Sequence, residues 1–121
     1  MMTILLDSNS VPEGKPVALD LHVVTTLDIT AAEARRRVNR QVVPNLGTGL
    51  VAGEPELMIM GEEIAWRVPL MLSLPELGEL GQVGAISVEA HSGELSLTSE
   101  LQQRIINHAR RLYTGATLQA E

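Results

Sequence analysis

A chain of 121 residues with 45% apolar content can hold one cored domain, but not a substrate domain beside a cofactor domain. It has no Cys, which excludes disulfides and thiolate metal sites, and its net charge of −6 argues against a dedicated DNA-binding surface. With no Phe, and only Trp66 and Tyr113 besides, the core must be built from Leu, Ile, Val, Ala and Met. Single-stranded nucleic acid also finds few rings on which to stack.

The opening residues Met1–Asp7 lack a basic n-region, and no apolar run reaches the ~20 residues that span a bilayer. A cytoplasmic chain without a membrane partner is therefore expected. Residues 1–16 join the short run Ile4-Leu5-Leu6 to Asn9, Pro12, Gly14 and Pro16, a density of turn formers that predicts an extended or mobile arm. Such an arm suits a linker, or an edge strand donated to a partner. Residues 17–121 are expected to form a single domain.

From Val17 to Ile29 apolar residues alternate with Asp20, His22, Thr26 and Asp28, which predicts a strand with one buried face. The period changes at Thr30. Thr30-Ala-Ala-Glu33 has the form of a capping box, and Ala31, Ala34, Val38 and Val42 repeat at helical spacing, with Pro44 and Gly47 expected to end the helix.

Leu57-Met-Ile-Met60, Gly61-Glu62 and Glu63-Ile-Ala-Trp66 predict a two-residue hairpin with Gly where a type II′ turn requires it. Pairing Met60 with Glu63 sets Ile59 opposite Ile64 and Leu57 opposite Trp66. All four then share one face with Val68, Leu70 and Leu72. Pro69 has no amide to give, so the sequence predicts either a bulge or an unpaired edge there. Leu74–Gly81 reads as a connection that exposes Leu77 and Leu80. The next strand turns Ile86, Val88 and Ala90 inward and closes at His91-Ser-Gly93. Ser99-x-x-Gln102 predicts the cap of a second helix with a stripe of Leu101, Ile105, His108 or Ala109, and Leu112, stopping at Gly115.

The run from the capped helix through the hairpin to Val88-Glu-Ala-His-Ser-Gly-Glu-Leu95 resembles PepSY domains, whose closing strand carries a pattern like V-D-A-x-T-G-E-V. Val88, Ala90, Gly93, Glu94 and Leu95 hold matching positions, with Glu89 in place of Asp and Ser92 in place of Thr. The resemblance covers roughly residues 30–95. It implies a PepSY- or cystatin-like helix on a curled sheet and a role in binding or inhibiting protein partners, usually outside the cytoplasm. The fold expected is α+β, an antiparallel sheet of about four strands with two helices on one face.

Candidate chemistry is sparse. Asp20 and His22 lie two apart on one strand face, yet an acid–base pair also needs a pocket and a third member. His22, His91 and His108 are scattered with no i, i+4 pair, so no metal and no cofactor are expected. Gly47-x-Gly49-x-x-x-Gly53 follows a helix and precedes a strand, the reverse of a phosphate-binding loop. Arg36, Arg37 and Arg40 cluster on one helix face and could meet an acidic patch. Met71, Leu77 and Leu80 could form an exposed apolar patch.

These features predict a non-catalytic protein- or peptide-binding module that self-associates, as a homodimer, through a sheet edge, the arm and the Leu77/Leu80 loop. Two other readings stand beside it. One is a small ligand-binding protein or enzyme with a pocket near Asp20, His22, Trp66 and Arg67. The other is an antitoxin-like regulatory subunit using the arm and the Arg face.

Overall fold

The computed structural model describes residues 2–5, 24–47 and 49–119, and within them the chain is α+β. Thr30 starts α1 (Ala31–Gln41), its Oγ1 accepting the Glu33 amide at 3.1 Å. Glu33 does not return the bond. Its carboxylate turns to Arg37 at 3.3 Å, so half of the capping box is made. Ala34, Val38 and Val42 form the buried stripe that the spacing predicts. The helix breaks at Val42, two residues before Pro44, and makes one more turn, α2 (Val43–Leu46). Pro44 sits in the first turn of α2, where no amide donor is needed, and Gly47 closes it at φ +130.

The expected strand from Val17 to Ile29 lies outside the described residues as far as Val23. Residues 24–29 are not a strand. Ile29 is nonetheless buried, because Asp28 and Ile29 both donate their amides to the Ala90 carbonyl, and the Ile29 carbonyl accepts Trp66 Nε1 at 2.7 Å. An isolated set of bonds to a neighbouring turn replaces a ladder.

The sheet is built on a long antiparallel pair, β4 (Glu63–Leu74) and β5 (Gly78–Glu89). β3 (Glu56–Met60) joins β4 in the register the pattern predicts, with Leu57 opposite Trp66, Ile59 opposite Ile64 and Met60 opposite Glu63. Gly61 has φ +61 and Glu62 does not share the positive sign, which is the type II′ turn. Farther along the same side of β4 lies β2 (Leu50–Ala52). β6 (Leu95–Ser96) pairs with Ser87 and Val88 of β5, and β1 (Met2–Leu5) lies parallel to β3. Order across the sheet is β1-β3-β4-β5-β6, with β2 beside β4.

Pro69 falls where one side of β4 changes partner. β3 ends its pairing at Arg67 and β2 begins at Leu70, while the Pro69 carbonyl accepts the Gly53 amide at 2.7 Å on that side. Its missing donor thus faces the gap between two strands, not a free edge.

The β4–β5 register slips twice, between Leu70 and Met71 and between Leu72 and Ser73, leaving Val83 and Leu80 as extra residues in β5. Two bulges so close coil the strand. They also explain why β5 begins at Gly78 rather than after a long connection; only Pro75–Leu77 form the turn. α3 (Ser99–Gln119) packs on β5. Its cap is Thr98, not Ser99: Thr98 Oγ1 accepts the Leu101 amide at 3.1 Å. The helix runs through Gly115 instead of stopping there, since a mid-helix Gly costs only about 1 kcal/mol against Ala. Both helices meet the face carrying Val68, Leu70, Leu72, Ile86 and Val88, which are almost fully buried. A Cβ on Gly84 would sit 2.7 Å from Ile105 Cγ1, so this glycine sets how closely α3 approaches the sheet.

Candidate functional site

The turn that ends β5 is a saturated hydrogen-bond cluster. The His91 and Ser92 amides donate to Glu89 Oε2, Ser92 Oγ accepts the Glu94 amide at 3.2 Å, and the Gly93 amide returns to the Glu89 carbonyl at 2.9 Å. The Ser92 amide above all, with smaller help from the Ser92 hydroxyl and His91, holds the Glu89 carboxyl below its ordinary pKa against a partial desolvation cost. His91 Nδ1 lies 3.5 Å from Asp28 Oδ2. Gly93, at φ +76, lies under the Arg37 guanidinium: Arg37 Nη1 donates to its carbonyl at 3.3 Å, and a Cβ there would strike Nη1. The residues that carry the PepSY-like pattern are therefore engaged in holding this turn and tying it to α1.

The Arg cluster is present but divided. Arg36 and Arg40 are exposed and border one shallow surface depression with Arg37, Glu33 and Gln41. Arg37 is committed inward to Glu33 and Gly93, and its Nε is buried without a partner among the described residues. Arg35, outside the cluster, donates its Nε to the Ala52 carbonyl at 2.9 Å and reaches Glu54 at 3.5 Å. One turn later Asn39 Oδ1 accepts the Ala52 amide at 2.9 Å. Their i, i+4 spacing was the available signal for a shared target, but nothing local names Ala52 as that target.

Met71, Leu77 and Leu80 do not form one patch. Met71 alternates with Leu70 and Leu72 and so points away from the core, whereas Leu80 packs against it as a bulge residue. Leu77 is half-buried in the turn. Asp20 and His22 lie outside the described residues. Trp66 and Arg67 face opposite sides of β4, Trp66 toward the core and Arg67 toward solvent, so one pocket cannot hold both. Alternation along the strand already carried that information.

The solvent face of the sheet bears an open trough of about 770 Å³ bordered by Met58, Met60, Ala65 and Arg67 with Glu62, Glu63, Glu89 and Glu94. The Glu89 carboxylate on its border is occupied by backbone amides. No helix among the described residues is long and apolar enough to cross a membrane.

The sheet edges differ sharply. The free side of β2 is sealed at Ala52 by Arg35 and Asn39. The outer side of β5 is paired by β6 only at Ser87 and Val88, and beyond them it is kinked by the Val83 and Leu80 bulges. The edge of β3 is regular through five paired residues, Glu56–Met60, and it already carries an added strand, β1. Comparison with protein-family models, with curated proteins and with solved structures finds no match.

Proposed function

We propose that this chain is a non-catalytic interaction module that recognises an extended protein segment by strand addition and self-associates. The supporting observation is the state of the sheet edges: two are closed by side chains or bulges, and one receives a strand. Main-chain hydrogen bonds supply the affinity in such recognition, and alternate side chains supply the selectivity. Met58 and Met60 border the trough beside this edge, offering adaptable apolar contact to whatever strand lies there. Arg36 and Arg40 remain available for an acidic partner surface.

The test uses the full chain with Thr3→Pro and Ile4→Pro, which removes the β1 amides whichever of the two faces β3. A labelled peptide of residues 1–8 is titrated into this variant and into the unchanged chain. The variant should bind the peptide saturably and at least about tenfold more tightly, because the competing internal strand is gone. Equal or absent binding by both chains overturns the strand-addition reading.

A further inference from the structure

We infer that β1 is an exchangeable strand, and that the edge of β3 takes residues 2–5 of a second copy of this chain, reciprocally, in a strand-exchanged dimer. This inference rests on the strand-addition reading and names the partner. Among the described residues β1 is held chiefly by β3, through the unbroken parallel register Met2–Leu57, Thr3–Met58, Ile4–Ile59 and Leu5–Met60. A four-residue parallel strand at the end of a sheet belongs to the part of a fold that opens most easily. Once open, it exposes an edge that, among the described residues, neither a side chain nor a bulge closes.

Eighteen residues, 6–23, separate Leu5 from Val24 in the sequence. The same backbone bonds form whether β1 pairs with its own β3 or with a neighbour's. The internal arrangement is favoured by effective concentration, because its strand belongs to the same chain. Reciprocal exchange recovers that advantage for the second strand once the first has crossed, which makes the dimer a low-cost alternative.

The absence of Cys gives a direct test. Thr3 and Met58 are paired across the strands, within the usual reach of a disulfide. Chains carrying Thr3→Cys and chains carrying Met58→Cys are mixed, incubated, oxidised and resolved by mass. A mixed disulfide whose yield rises with protein concentration is expected, and an excess of the free peptide of residues 1–8, which competes for the β3 edge, should reduce it at least tenfold. Thermal unfolding of the reduced variants checks that the fold is kept.

If a chain carrying both Thr3→Cys and Met58→Cys instead closes its disulfide only within itself at every concentration, and the mixture gives no mixed species, exchange is overturned. Light scattering of the unchanged chain separates the remaining cases. A dimer without the mixed disulfide overturns exchange and leaves self-association through another surface. A strict monomer that also fails to bind the peptide of residues 1–8 overturns both readings.

Discussion

The β4–β5 pair and the β1–β3 edge belong to one sheet but are held in different ways. β4 and β5 run together over twelve-residue strands, with α1 and α3 pressed on Val68, Leu70, Ile86 and Val88. β1 has four residues and, among the described residues, a single neighbouring strand. Burial is concentrated where the helices lie, and the strand of the proposed exchange lies where they do not. Under that proposal an edge could be remodelled without putting the core at risk.

The largest effect should come from the core. Leu70→Ala, at a site with no solvent exposure, is expected to destabilise by about 2–5 kcal/mol, measured by urea unfolding. Gly84→Ala comes next, at about 1–3 kcal/mol, because Ile105 Cγ1 and Cδ1 would have to yield. Gly93→Ala is expected to cost about 1–2 kcal/mol from its left-handed backbone and to detach Arg37. Chemical-shift changes spreading from Glu89–Glu94 into α1 would verify the tie.

The pH dependence of the same turn should be smaller. Glu89 has a folded pKa below its unfolded one, so its contribution is present above the ordinary carboxylate range and is lost as pH falls through the depressed folded value. Glu89→Gln should flatten that part of the acid limb in unfolding curves taken across pH. The smallest change belongs to the Thr3→Pro/Ile4→Pro chain, whose global stability should move by less than about 1 kcal/mol. A loss as large as that of Leu70→Ala would place β1 inside the cooperative core and erase the contrast.

Much of the core was legible in sequence, because periodicity speaks where one face is buried. Leu57, Ile59, Ile64 and Trp66 admitted only one hairpin register, and Thr30 marked the start of α1. Alternation loses its meaning where bulges break the period: it reads Leu80 as an exposed loop residue, whereas a register slip turns it onto the core. The end of α3 was misplaced because an exposed Gly115 is tolerable inside a long helix. Residues 24–29 looked like part of a strand, but Ile29 is buried through bonds to Ala90 and Trp66, partners remote in sequence. The edges were least legible of all. Sealing by Arg35 and Asn39 depends on where Ala52 lies, which only the folded chain decides.

Pro69 has a consequence for the order in which this sheet assembles. Because Pro69 itself gives no amide at the change of partner along β4, the hairpin side and the β2 side are zipped as separate segments. The hairpin closes over a two-residue turn, whereas β2 must wait for α1 and for a much longer chain loop. Pulse-labelled amide exchange during refolding should therefore protect Ala65 and Arg67, which face β3, before Met71 and Ser73, which face the β2 side. The proline marks the kinetic seam between an early-folding meander and a later-docking helix unit.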